Sequence, residues 1–164
     1  MRWEPEEPMC AECRFDWAVS ATDAVASVAG CPETYEAALA TAHPQAATED
    51  GRWSAGMYLW HVVDVLRIGA ERLWTISLDP AAGIPDWDEN VLAAARDYST
   101  LSINVGLHAL RQAVADWTAT ASATTPDLTI QHDLFGEITA LDILRRNVHE
   151  VKHHLLDITI TIPS

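Results

Sequence analysis

Residues 148–157 read Val-His-Glu-Val-Lys-His-His-Leu-Leu-Asp, and they belong to a predicted last helix that runs from about Glu137 to Thr159. The apolar residues of this segment repeat at alternating steps of three and four, which is the spacing of one helix face. They are Leu141, Leu144, Val148, Val151, Leu155 and Ile158. The segment therefore predicts a helix with one buried face.

The same segment concentrates groups that bind metals. At about 100° per residue, Glu150 and His154 fall beside the apolar face, whereas His149 and His153 point more nearly away from it. Each pair is spaced i, i+4, so its two side chains stand one turn apart and can converge on one ion. Imidazole and carboxylate suit zinc, nickel, iron or manganese. A third ligand from another helix would distinguish a metal site from a set of solvated surface residues.

Length and composition limit the class of protein. The 164 residues predict one domain spanning 1–164, with an acidic N-terminal arm over 1–16. The formal charge of −14 argues against nucleic acid or an anionic membrane as a partner, because both require a basic face. The chain shows neither an apolar run of membrane-spanning length nor a signal-peptide core near Met1, so a cytoplasmic protein is predicted.

A second helix is predicted from about Ser54 to Leu78, with Ser54 as its N-cap. This segment is apolar almost all round, so it should be largely buried. His61 and Asp64 are its conspicuous polar residues. A histidine in such a setting is either a hydrogen-bonded core residue or a ligand, and Asp64, at i+3, is placed to orient it.

The remaining segments complete an all-α four-helix bundle. A first helix is predicted from Thr22 or Asp23 to Thr41, with Thr22 as N-cap and an interruption at Gly30-Cys31-Pro32. A loop is predicted over 42–52. A third helix should run from about Asp88 to Ala121, with a break near 99–102, and a long loop or small hairpin should precede the last helix.

Cys10-Ala11-Glu12-Cys13 forms a CxxC near the start of the chain. Such a pair is half of a zinc site or a redox pair. Cys31 is the only other cysteine, no CxxC or HxxxH follows close behind, and no strand–helix unit typical of redox motifs is evident. We therefore expect two tolerated thiols, with a second metal site or a redox site at Cys10 and Cys13 as the alternative.

Several motifs together resemble the DinB-like (YfiT-like) family of metalloenzymes. Trp53-Ser54 leading into Leu59-Trp60-His61-Val62-Val63-Asp64 is similar to the family's helix-two motif, and His153-His154-Leu155-Leu156-Asp157-Ile158 is similar to its helix-four signature. The opening Cys10-Ala11-Glu12-Cys13-Arg14-Phe15-Asp16 and Trp87-Asp88 resemble a subgroup of these proteins. The resemblance covers nearly the whole chain.

The resemblance implies a four-helix bundle, often dimeric, that holds a divalent metal with three protein ligands and open positions. His61 and His154 match two family ligands, and Glu150 stands where a histidine is more usual. We expect Asp64 or Asp157 to support the ligands. In the competing arrangement His149 and His153 are the ligand pair; otherwise they line the rim.

The resemblance further implies an enzyme with zinc or nickel and a small-molecule substrate, similar to the family's thiol-transferase branch with a low-molecular-weight thiol as cosubstrate. Hydrolysis by metal-bound water is the other catalytic possibility. A non-catalytic, metal-binding or stress-related dimeric bundle is the alternative. A cavity beside His61 lined by Trp and Tyr would favour an enzyme, and a sealed site would favour the structural protein.

Overall fold

A computed structural model describes residues 5, 7–40 and 51–160, and its helices confirm the predicted all-α four-helix bundle. The elements in these ranges are α1 (Ala21–Ala29), α2 (Cys31–Ala40), α3 (Ala55–Leu78), α4 (Glu89–Ala95), α5 (Ile103–Ala123), β1 (Thr129–His132), β2 (Gly136–Thr139) and α6 (Ala140–Ile160). The consecutive pair α1–α2 forms one side of the bundle and α3 the other, and both pack against α5 and α6. None of the helices in these ranges combines the length and apolarity needed to cross a bilayer.

The first predicted helix is two helices in the structure. Ser20, not Thr22, is the N-cap of α1, and its Oγ accepts a hydrogen bond from Asp23 N at 3.1 Å. Gly30 ends α1, and α2 begins at the next residue because Pro32 has no N–H with which to continue the first helix. Thr41 and most of the predicted loop 42–52 lie outside the described residues.

The predicted second helix agrees with α3, which begins after an N-cap at Ser54 whose Oγ accepts from Met57 N at 3.3 Å. The predicted third helix is interrupted as expected. It consists of α4, capped by Asp88, and α5, capped by Ser102, with a 3₁₀ turn at Tyr98–Thr100 between them. Each cap is a short polar side chain that satisfies otherwise unpaired N–H groups of the first turn.

The last helix begins at Ala140, three residues later than predicted, because Gly136–Thr139 pairs with β1 as an antiparallel hairpin. Thr139 and Asp142 then cap the helix reciprocally. Thr139 Oγ1 accepts from Asp142 N at 3.1 Å, and Asp142 Oδ2 accepts from Thr139 N at 2.8 Å. Of the predicted apolar face, four residues are buried and two half-buried: Leu144, Val148, Val151 and Ile158, and Leu141 and Leu155.

One close contact sets the spacing of three bundle helices. Gly69 on α3 faces the hydrogen bond between Trp117 Nε1 on α5 and Asn147 Oδ1 on α6, which is 2.9 Å long and buried. A Cβ at position 69 would lie 2.2 Å from Asn147 Oδ1 and 3.0 Å from Trp117 Nε1. Only glycine therefore allows α3 to approach this closely.

We expect Gly69→Ala to lower the free energy of unfolding by about 2–4 kcal/mol, because it overpacks the core and displaces a buried hydrogen bond. Urea denaturation of both proteins measures the difference. Gly30→Ala is the matched control, since the nearest atom to its added Cβ is 3.8 Å away and its φ of −88° suits alanine. Equal stability of the two variants would contradict the assigned role of Gly69.

Candidate metal centre

His61, Glu150 and His154 converge where α3 meets α6. Glu150 Oε2 lies 3.4 Å from His61 Nε2 and 3.0 Å from His154 Nε2, and the three ligand atoms all lie within 4.8 Å of one another. Ligand atoms about 2.0–2.1 Å from one tetrahedral ion are separated by roughly 3.3 Å. The two separations from Glu150 Oε2 therefore match the spacing that a single divalent ion needs, and the two histidine nitrogens lie within 4.8 Å of each other.

Aromatic rings hold the two imidazoles in place. His61 is buried, with an exposed fraction of 4%, and its ring contacts those of Trp53 and Trp87 at centroid distances of 5.3 and 5.8 Å. Tyr58 stacks on His154 at 5.1 Å. These contacts restrict ring rotation, so the nitrogen atoms stay directed at Glu150.

The two aspartates predicted to support the ligands behave differently. Asp157 Oδ2 lies 2.8 Å from His154 Nδ1, the carboxylate–imidazole contact that orients a ligand histidine and leaves Nε2 free for an ion. Asp64 instead accepts hydrogen bonds from Tyr98 Oη and Arg96 Nη1, which come from the segment between α4 and α5. Within the described residues, His61 Nδ1 is buried without a hydrogen-bond partner.

The charges of this cluster depend on one another. Burial by itself would raise the pKa of Glu150, but hydrogen bonds from His149, His154 and His61 hold it well below its usual range. Burial would lower the pKa of His154, but its hydrogen bonds to Asp157 and Glu150 raise it to about 9. In the absence of an ion, the structure thus favours an ionised carboxylate beside a protonated imidazole.

The competing pair, His149 and His153, is half-buried, with side-chain exposed fractions of 17% and 22%. Residues 8–17 cover both rings, and their ring nitrogens lie within 4.8 Å of the thiols of Cys10 and Cys13. Burial would raise the pKa of Cys10, but the neighbouring His149, nearby backbone N–H groups and His153 lower it to about 6. On α6, the pair Glu150 and His154 therefore lies beside His61, whereas the pair His149 and His153 lies beside the two cysteines.

A cavity of about 640 Å³ adjoins the cluster and connects it to the surface. His61, His149, Glu150, His153 and His154 all contribute to its wall. Its aromatic lining includes Trp53, Tyr58, Trp87 and Phe135, and its basic lining consists of Arg52, Arg72 and Arg146. The volume falls within the range of about 300–1,000 Å³ typical of small-molecule sites.

The arginines of this cavity were not predicted, because they are isolated along the chain, one before α3, one on α3 and one on α6, and carry no local pattern. Arg72 Nη2 donates to Pro85 O at 2.7 Å, and the Arg146 guanidinium lies 4.0 Å from the Phe135 ring centroid. Burial lowers the pKa of both groups, and Arg146 lowers that of Arg72 further. Asp86 raises both pKa values, and Glu150 and Asp142 also raise that of Arg146. An anionic ligand would stabilise these partly buried cations further.

The raised pKa of His154 predicts a pH-dependent contribution to the stability of the metal-free protein. The folded value of about 9 exceeds the ordinary 6.5, so this contribution is complete below pH 6.5 and is lost as the pH rises through 9. We expect the destabilisation caused by His154→Gln to be largest below pH 6.5 and to shrink towards pH 9. Urea denaturation in the presence of a chelator measures it. His108→Gln, at an exposed histidine outside the cavity wall, is the control variant.

Comparisons with known proteins agree with this architecture. YfiT from Bacillus subtilis, described as a probable metal-dependent hydrolase with an unusual four-helix bundle topology, has a similar structure (TM-score 0.77, 19% identity, 98% of this chain and 91% of that one). The four-helix bundle protein TT2238 is also similar (TM-score 0.63, 23% identity, 86% and 99%). No curated protein matches the sequence. A family model described as the DinB superfamily matches residues 3–158, and the chain belongs to that superfamily.

Proposed function

We propose that the protein is a divalent-metal-dependent hydrolase whose ion is held by His61, Glu150 and His154. The observation that carries the proposal is that these three groups meet at the wall of an open cavity lined by Trp and Tyr. Two histidines and one glutamate are a donor set of catalytic zinc in hydrolases, where one position stays open for water or substrate. The description of YfiT as a probable metal-dependent hydrolase supports the same class.

An ion bound by these residues would supply Lewis acidity and would lower the pKa of a water molecule towards neutrality. The other residues of the cavity position the reactants. Asp157 accepts a hydrogen bond from Nδ1 of His154, which leaves Nε2 as the nitrogen that would bind the ion. Trp53 and Trp87 flank His61 and offer apolar faces to the body of a substrate.

The basic wall of the cavity suggests the substrate's charge. The whole chain has only ten lysine and arginine residues against 24 acidic ones, yet Arg52, Arg72 and Arg146 all line this cavity. Guanidinium groups bind carboxylate and phosphate oxygens in planar, two-point geometry. We propose a small substrate with an anionic group, bound between Arg72 and Arg146, and an apolar or aromatic body against the tryptophans.

Thiol transfer is the second candidate for the same centre. A low-molecular-weight thiol would bind at an open position and attack an electrophile, and the cavity volume of about 640 Å³ leaves room for two reactants. Turnover in thiol-free buffer would favour hydrolysis, whereas turnover that requires an added thiol would favour transfer. The open cavity argues against a purely structural role for the His61 centre.

Metal content tests the proposed ligands directly. We expect His61→Ala and His154→Ala each to lose about one divalent ion per chain, because two remaining ligands bind far more weakly than three. Elemental analysis of untagged protein, purified without added metal, measures the loss, and circular dichroism checks that helical content is retained. His108→Ala serves as the control variant. Full metal content in both ligand variants would exclude this site.

The arginine wall predicts a selective effect on anionic substrates. The test substrate is a 4-nitrophenyl ester whose acyl chain ends in a carboxylate. For this ester, Arg146→Gln should lower kcat/KM by roughly ten- to a hundredfold, which corresponds to the free energy of one hydrogen bond to a charged group. The methyl ester of the same compound should be affected little. Release of 4-nitrophenol from the two esters is the measurement.

Arg111→Gln is the matched control, because Arg111 lies on the surface in an exposed ion pair with Glu36. An equal loss of activity for both esters in Arg146→Gln would mean that Arg146 supports the fold rather than an anionic substrate group.

A further inference from the structure

A second cluster of metal-binding side chains lies where residues 8–17 cross α6. One ligand atom from each of Cys10, Cys13, His149 and His153 lies within 4.8 Å of all the others. Two thiolates and two imidazoles are the donor set of closed, four-coordinate zinc sites. We propose that these four residues form a structural zinc centre, separate from the His61 centre, that fastens the N-terminal segment to α6.

The separation between Cys10 and His153 has the length that zinc requires. Cys10 Sγ lies 3.7 Å from His153 Nδ1. With bonds of about 2.3 Å to sulfur and 2.0–2.1 Å to nitrogen, a tetrahedral ion places these two atoms roughly 3.6 Å apart. The remaining ligand atoms lie within 4.8 Å of one another, so rotations of side chains would complete the coordination shell.

His149 supplies an independent observation that a ligand is needed here. Its Nδ1 lies 3.6 Å from Glu150 Oε1, whereas its Nε2 is buried and, among the described residues, has no hydrogen-bond partner. Buried polar atoms are almost always satisfied, and an exception calls for a specific explanation. An ion bound at Nε2, on the side of the ring opposite Glu150, provides one.

Both histidines also have the second contact that ligand histidines need. His153 Nε2 lies 3.3 Å from Glu12 Oε2, so Nδ1 is the atom left for the ion. Glu150 Oε1 makes the corresponding contact with His149 Nδ1. A carboxylate on the far ring nitrogen sets the tautomer and orientation of a ligand imidazole. Glu150 therefore faces both centres, one with each oxygen.

The local fold presents both cysteines from one tight turn. Cys10 N donates to Phe15 O at 2.9 Å, Arg14 N donates to Cys10 O at 3.0 Å, and Met9 pairs with Asp16 across the turn. Arg14 has a φ of +59°, a left-handed conformation that the turn requires. The turn places the two sulfur atoms within 4.8 Å of each other in the absence of an ion.

Aromatic packing then fixes the turn on α6. Phe15 is buried, with an exposed fraction of 2%, and packs edge-on against Trp17 at 5.0 Å. The ring of Trp17 lies 4.7 Å from that of His149.

Zinc binding would release the thiol protons to solvent and leave a centre without net charge, since two thiolates balance the ion. No coordination position stays open, so the centre is structural rather than catalytic.

Zinc stoichiometry tests the proposal independently of the His61 centre. Elemental analysis of untagged protein should find about one more zinc ion per chain in the wild type than in the Cys10→Ser/Cys13→Ser variant, whichever divalent metal the His61 centre holds. Cys31→Ala, at the buried third cysteine, is the matched control and should keep the wild-type content. His61→Ala should lose a different ion, so failure of either centre is distinguishable from failure of the other.

Zinc content that is identical in the wild type and the double cysteine variant would overturn the proposal. A Cys10–Cys13 disulfide in protein purified under reducing conditions would overturn it as well. If the double variant does not fold, cobalt substitution of the wild type decides. Thiolate-to-cobalt charge-transfer absorption supports the centre, and its absence with cobalt bound overturns it.

Discussion

The site depends on one carboxylate placed among three imidazoles. Glu150 directs Oε2 to His61 and His154 and Oε1 to His149, and these contacts keep it ionised although it is partly buried. A buried charge of this kind is costly unless opposite charges or an ion surround it. The histidines around Glu150 meet that requirement and a bound metal would meet it too, so folding and the proposed metal binding place the same demand on this residue.

Close packing of α3 against α5 and α6, about two turns from His61, makes this arrangement of Glu150 and the histidines possible. Gly69, two turns along α3 from His61, lets the Trp117–Asn147 hydrogen bond lie against the helix, and Asn147 is one turn before Glu150 on α6. Because the bundle core is densely packed, a shift of α3 at Gly69 would be transmitted to the ligand atoms. Their separations of 3.0 and 3.4 Å leave little tolerance for such a shift.

Local patterns account for most of the fold and for part of the site. The three–four spacing on α6, the apolar run of α3 and the cap at Ser54 were sufficient to predict these helices. The i, i+4 spacing selected two candidate ligand pairs, Glu150 with His154 and His149 with His153. The late start of α6 was missed because pairing of Gly136–Thr139 with β1 competes with helix formation. Asp64 was assigned to His61 on spacing, but Tyr98 and Arg96 reach it from another segment.

The sequence by itself determined which residues form amphipathic helices and which side chains are capable of binding metal, because both properties are local. Only the tertiary structure decided which of these side chains meet. Cys10 and Cys13 have no other metal-binding pair close to them in the sequence, but the packing of residues 8–17 on α6 brings His149 and His153, more than a hundred residues away, to within 4.8 Å of them. The arginine wall of the cavity is likewise a product of packing, since charges that are isolated along the chain become neighbours only when α3 and α6 pack together.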